Sequence, residues 1–183
     1  SELLIGCGND LRKKMSFEGV PSDWTDLVTL DVDPGVKPNY CHDLNSLPYP
    51  FEDNQFTEIH AYEVLEHCGR QGDWRFFFDQ FHEFWRILKP GGFLIASTPM
   101  CDCPWAWGDP GHTRCITPGS LSFLNQAIYE RDLGKTAMTD YRFVYKADFR
   151  RHDLCYSDPA FVYILQAVKP SRIADYHPVS TGE

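Results

Sequence analysis

The sequence predicts an α/β fold built on a mostly parallel, doubly wound sheet. Three observations predict it. Strand-like and helix-like segments alternate along the 183 residues. The apolar runs are strand-sized, five or so residues bounded by Gly, Pro, Asn or Asp. The first two strands also end in chemistry. Leu3-Leu4-Ile5 runs into Gly6-Cys7-Gly8, and Leu27-Val28-Thr29-Leu30 runs into Asp31-Val32-Asp33.

Taken in order, Glu2 to Ile5 reads as the first strand, followed by a short helix over Asp10 to Phe17. The second strand is Leu27 to Asp31. Pro34-Gly35 and Pro38 then break the chain before a short strand ending at His42-Asp43. A loop with Pro48 and Pro50 leads into strand four, Thr57 to Tyr62. Phe77, Phe81, Phe84 and Leu88 recur at helical spacing, widened by Phe76, Trp85 and Ile87, and predict a core helix over 73–89. Lys89-Pro90-Gly91-Gly92 stops it, and Phe93 to Ser97 is strand five. Residues 98–116 carry no periodicity, with two tryptophans and three prolines, and an irregular segment of that length points to function. A helix from Thr117, its N-cap, with Pro118 at the first position, runs to Arg131. Tyr141 to Ala147 and Phe161 to Val168 read as an antiparallel pair that closes a seven-stranded sheet with an antiparallel last strand and helices on both faces. One domain over 1–170 is expected, with a loose polar tail over 171–183.

Composition narrows the function. The formal net charge is −9, which argues against a general nucleic-acid binder. Arg142, Lys146, Arg150 and Arg151 read as a solvated strand edge. No run is long and apolar enough for a membrane span and no leader precedes the first strand, so a cytoplasmic protein without a membrane partner is expected. Seven cysteines, an odd number without regular spacing, suit reduced thiols. Cys101, Cys103, His112 and Cys115 offer four soft ligands, but no CxxC pair is present and no metal is expected there.

Glycines at one strand tip and a carboxylate at the next make a nucleoside-binding crevice. The glycines let backbone approach the ligand, and the acid can grip two ribose hydroxyls. Dinucleotide enzymes need a third glycine for close helix packing, and here that position is Leu11.

Further along, His42-Asp43-Leu44 ends strand three, Tyr62-Glu63-Val64-Leu65-Glu66-His67 ends strand four, and Arg86-Ile87-Leu88-Lys89-Pro90-Gly91-Gly92 precedes strand five. In that order and spacing, over roughly residues 3 to 99, the chain closely resembles the class I S-adenosylmethionine-dependent methyltransferases, particularly the small type 11 group. The resemblance implies a Rossmann-like sheet and S-adenosylmethionine as cofactor. It implies that Gly6, Cys7 and Gly8 admit the methionine end, Asp31 accepts from the ribose hydroxyls, and Val32 lies under the adenine. Asp43 would accept from the adenine amino group with Leu44 lending an N–H, and Glu63 and Val64 would flank the methionine portion. Asp33 is the competing acid, two residues on. His67 reads as a structural residue of the turn rather than a base.

Two departures stand out. Ile5 occupies the strand tip where the family carries an acid, and nothing before Leu3 supplies the usual N-terminal cover helices. The pocket is therefore expected to be open, or closed by a partner such as a second copy of the chain. On the substrate side, Trp105, Trp107, Asp109, His112 and Arg114 are the candidates. His112 could act as general base, and Arg114 could grip a carboxylate or phosphate. Trp105 and Trp107 could stack on a planar substrate, although burying the loop against the sheet is the job expected of them. No Asn/Asp-Pro-Pro-aromatic motif follows strand four, so amino-methylation of adenine or glutamine is not indicated. The expectation is an S-adenosylmethionine-dependent methyltransferase acting on a small-molecule or nucleotide-like acceptor. The alternative is a cofactor-binding, catalytically silent subunit that helps a partner.

Overall fold

A run of apolar residues without polar alternation suits a strand covered on both faces. Glu2–Ile5 (β1) is such a strand, buried at every position and flanked by parallel neighbours. In the computed structural model, which describes residues 1–175, β1 lies inside a seven-stranded sheet. The other strands are Leu27–Asp31 (β2), Tyr40–Cys41 (β3), Phe56–Tyr62 (β4), Leu88–Pro99 (β5), Phe149–Ser157 (β6) and Ala160–Ala167 (β7). Their order is β3-β2-β1-β4-β5-β7-β6, parallel from β3 to β5, with β7 antiparallel to both of its neighbours. This is the Rossmann-like arrangement expected, with the antiparallel last strand.

Trp74–Ile87 (α1) starts where the Asp73 carboxylate accepts from the Phe76 N–H at 3.1 Å, satisfying one orphan donor of the first turn. It buries Phe78, Phe81, Phe84 and Ile87 against the sheet, each worth about 1.5–3 kcal/mol of apolar transfer. The predicted stripe was one residue off at its start: Phe77 is half-buried where Phe78 is covered, and Leu88 belongs to β5. Trp105–Gly108 (α2) is a single turn. The predicted helix over 117–131 divides into Pro118–Ser122 (α3) and Gln126–Asp132 (α4). Thr117 caps the first through a reciprocal bond pair with Ser120, and Asn125 caps the second, its side chain accepting from the Ala127 N–H.

Helical residues reach both faces, unequally. α1, α3 and α4 lie with one face of the sheet. The other holds Val36, from a 3₁₀ turn at Pro34–Val36, and the irregular segment after β1. The helix expected over 10–17 does not form. Instead Met15, Phe17, Val20 and Trp24 pack on this rear face with Leu4, Tyr62 and Ile95. Lys13, its side chain 1% exposed, pairs with Glu58 at 2.6 Å. His60 donates from Nε2 to Glu58 at 2.8 Å and accepts from the Tyr62 hydroxyl at 2.6 Å. A helix would carry these side chains around its axis; the open chain lets all of them face the sheet.

The penultimate strand also differs from the expectation. Residues 141–147 form a turn rather than a strand, with Tyr141 against Trp74 and Phe78 and Tyr145 buried on Phe78. The strand is β6, an exposed edge carrying Arg150, Arg151, His152 and Asp153 with a register shift between Arg151 and Asp153. Arg142 is not part of a solvated edge; it is 9% exposed and paired with Asp140 and Glu130. The described part of the expected loose tail is anchored: Arg172 clasps the fully buried Asp148 at 2.6 and 2.8 Å. The remainder of that tail lies outside the described residues. Among the described residues, no helix is long and apolar enough to cross a membrane.

Candidate functional site

The carboxyl ends of β1, β2, β3 and β4 surround a cavity of about 370 Å³. Ligands favour this edge of a parallel sheet because loops there diverge and leave room. Gly6, Asp31, Val32, Asp43, Leu44, Glu63 and Val64 line it, seven of the nine positions predicted for a nucleoside cofactor.

Gly6 has φ +60, and a Cβ there would collide with the Val64 side chain, so only glycine serves. Gly8 also has a positive φ, yet a Cβ at Gly8 meets nothing within 4 Å. Its N–H donates to Asp31 Oδ2 at 2.9 Å, while Asp31 Oδ1 accepts from the Asp33 N–H at 2.9 Å. Two backbone donors thus fix this carboxylate at the crevice before any ligand arrives. Asp33 is spent elsewhere, accepting from Gly35 as the cap of the 3₁₀ turn at Pro34–Val36. Cys7 is not in the wall as predicted. Its thiol is buried on the rear face, where burial pushes its pKa up.

Val32 is 62% exposed beside the cavity, an apolar surface left uncovered. Asp43 Oδ1 accepts from the backbone and side-chain nitrogens of Asn45, which orients the acid. Glu63 follows β4 with φ +53, a left-handed conformation costing a non-glycine residue of order 1 kcal/mol, and its N–H donates to Ser97 O at 2.9 Å.

The irregular segment after β5 straps onto the turn after β4. Thr113 N–H donates to Glu66 O at 2.9 Å, and Gln71 N–H donates to Thr113 O at 2.9 Å. Arg114 is 4% exposed, its Nε donating to Leu65 O at 2.8 Å and its Nη2 to Gln80. It is therefore a strut under the turn, not a rim residue that grips substrate. His112 donates from Nδ1 to Trp105 O at 2.8 Å, leaving Nε2 as acceptor, 3.8 Å from Asp109 Oδ2. The indoles of Trp105 and Trp107 are 63% and 56% exposed, so they do not bury this loop against the sheet as expected.

The sequence matches the family described as "Methyltransferase domain" over residues 3–96, more than half of the chain. The chain belongs to this methyltransferase family. No curated protein matches it. Among solved structures, a SAM-dependent methyltransferase from Archaeoglobus fulgidus is 15% identical, with a TM-score of 0.54 over 90% of this chain and 85% of that one. The N-methyltransferase NodS from Bradyrhizobium japonicum WM9, in complex with S-adenosyl-L-homocysteine, is 15% identical, with a TM-score of 0.52 over 91% and 76%. A chain from the complex of the Haloferax volcanii Trm112 methyltransferase activator with a methyltransferase is 12% identical, with a TM-score of 0.53 over 91% and 82%. At these identities the likeness is one of fold.

Within this methyltransferase-family domain, sequence reasoning missed five wall residues: Leu30, His42, Asn45, Cys68 and His67, which it read as structural only. Asn45 is the most consequential, since its Oδ1 accepts from the Gly69 N–H at 2.7 Å and couples the β3 and β4 loops. Asn45 followed the Asp43-Leu44 pair directly, so adjacency was the available signal. Glu66 was also missed as a special residue, although it sits inside the Leu-Glu-His turn; its burial could not be read locally.

Proposed function

We propose that the protein binds S-adenosylmethionine in this crevice and transfers its methyl group to a small-molecule or nucleotide-like acceptor. The observation that carries the reading is Asp31, held by two backbone N–H groups opposite the Gly6 turn, with lone pairs left for a ribose diol. The wall also fits the rest of such a ligand. Exposed Val32 suits the face of an adenine, and oriented Asp43 suits its amino group. Glu63 supplies negative charge near a sulfonium, and open space beside Gly8 admits the amino-acid end. That NodS was crystallised with S-adenosyl-L-homocysteine agrees with this choice of cofactor.

Bound there, the cofactor would supply an electrophilic methyl, displaced in line by an acceptor lone pair as the carbon–sulfur bond breaks and its electrons pass to sulfur. The chain's own part is alignment and exclusion of water. Where the acceptor must lose a proton, His112 Nε2 is the base on hand, since its Nδ1 hydrogen is committed to Trp105 O. Trp105 and Asp109, exposed near His112, are the proposed acceptor contacts.

Isothermal titration with S-adenosyl-L-homocysteine and NAD tests the cofactor. Binding of the first alone, weakened in Asp31→Ala, is expected; binding of neither, or an unchanged Asp31→Ala, overturns the reading. Radiolabelled methyl transfer to a panel of small molecules and nucleotides then identifies the acceptor.

A further inference from the structure

The turn Leu65–His67 after β4 holds a group that the crevice does not use. Glu66 is 2% exposed, and neither of its carboxylate oxygens has a hydrogen-bond partner among the described residues. Buried polar groups normally find partners, and an unpartnered carboxylate is among the costliest to bury. The nearest buried cation, Arg114, spends its Nε and Nη2 on Leu65 O and Gln80 and donates nothing to Glu66.

What Glu66 faces is a set of further acceptors. His112 Nε2 lies 3.9 Å from Glu66 Oε1, and Asp109 Oδ2 lies 3.8 Å from the same nitrogen. Both His112 and His67 direct Nδ1 at a backbone carbonyl, Trp105 O at 2.8 Å and Gly111 O at 3.1 Å. A carbonyl can only accept, so each neutral ring carries its proton on Nδ1 and keeps Nε2 as a lone pair. That outer bond is the one that orients metal-ligating histidines. The two rings meet edge to face with their centroids 4.6 Å apart, and one ligand atom each from Glu66, His67 and His112 lie within 4.8 Å of one another. They are the one such trio of His, Cys, Asp or Glu among the described residues; Cys101, Cys103 and Cys115 do not converge with His112.

Glu66, His67 and His112 thus converge with no hydrogen bond between them, and the guanidinium of Arg114, close enough to act on Glu66, donates to none of them. From this geometry we infer that Glu66, His67 and His112, with Asp109 at the rim, bind a divalent first-row transition metal such as zinc. Two imidazoles select that class over calcium or magnesium. Ligand atoms bonded at 2.0–2.1 Å in a tetrahedron stand about 3.3 Å apart, so the three must draw together from within 4.8 Å to hold an ion. His67 also lines the crevice, so an ion here would sit in its wall with Asp109 on the solvent side. The inference does not rest on the choice of cofactor; a bound ion would take the His112 Nε2 lone pair, so ligation and the general-base role proposed for His112 exclude each other.

The test uses the full chain, stripped with chelator, dialysed and titrated with cobalt(II). One equivalent is expected, giving visible ligand-field bands without the near-ultraviolet charge-transfer band of a cobalt thiolate, and displaced by one equivalent of zinc. Glu66→Gln and His112→Ala should each weaken cobalt binding at least tenfold. Circular dichroism checks their folding, and His67→Ala, at an exposed ring, gives the same test where burial makes the others fragile. No stoichiometric cobalt, a thiolate band, or undiminished binding in folded Glu66→Gln or His67→Ala overturns the inference. Titration with S-adenosyl-L-homocysteine on the metal-free chain is read separately, so failure of the cofactor reading and failure of the metal site are distinguishable.

Discussion

The backbone N–H of Gly8 donates to Asp31 Oδ2 at 2.9 Å, joining the turn after β1 to the acid at the end of β2. One bond thereby links the two features that announced a nucleoside site. Asp31→Ala removes both this tie and the proposed ribose acceptor. With charge-assisted bonds worth about 1.5–3 kcal/mol each, S-adenosyl-L-homocysteine affinity should fall by roughly 10- to 100-fold by titration calorimetry. Asp33→Ala should leave affinity within a few-fold of the original, because Asp33 only caps its own turn.

The two glycines of the turn after β1 should respond unequally to alanine. Both have positive φ, a strain of about 1 kcal/mol for alanine. At Gly6 the new methyl also collides with Val64, whereas at Gly8 it meets open space. Urea unfolding should therefore show Gly6→Ala costing about 2–4 kcal/mol and Gly8→Ala about 1. Equal losses would contradict the packing described.

Glu66 should be a liability to the metal-free fold. Replacing its buried, unpartnered carboxylate with the similarly long, apolar Met should raise metal-free stability by about 1–3 kcal/mol at neutral pH. Thermal unfolding in chelator checks this, and a loss of stability would mean that Glu66 has a partner in solution.

Acid should attack the rear face first. Burial would raise Glu58, but its bonds from His60 and Lys13 outweigh that and hold it below the usual carboxylate range; burial likewise lowers His60. For both groups the unfolded chain binds the proton first. Their contribution is complete above about pH 6.5, then lost as pH falls through the lowered His60 and Glu58 values. In Glu66→Gln, which removes an opposing carboxyl raised by burial, unfolding free energy should drop from pH 7 toward pH 4. Lys13→Met, which takes the charged partner from buried Glu58 and leaves it the His60 bond, should cost about 3 kcal/mol at pH 7.

Much of the fold was legible because its signals are local. β1 and β2 are bounded by their own glycines and acids, and α1 declares itself by period and by the Asp73 cap. Where the reading failed, a distant partner decided. Leu11 and Met15 have helical spacing, yet Lys13 reaches Glu58, and Trp24 Nε1 donates to Leu11 O at 2.6 Å, holding the segment open. Tyr141 to Ala147 looks like a strand because it is apolar, but its apolar groups are satisfied by α1. The true strand, β6, is mostly exposed and so carries no alternation to detect. In the crevice, positions at strand ends were readable. The Glu66–His112 approach was not, because it depends on bonds between turns more than forty residues apart.

The charged, register-shifted β6 at one margin of the sheet and the two-residue β3 at the other have a consequence for assembly. Neither offers a long unbroken row of backbone donors and acceptors on which another strand could be templated. A second molecule is therefore not readily added as a further strand at either margin.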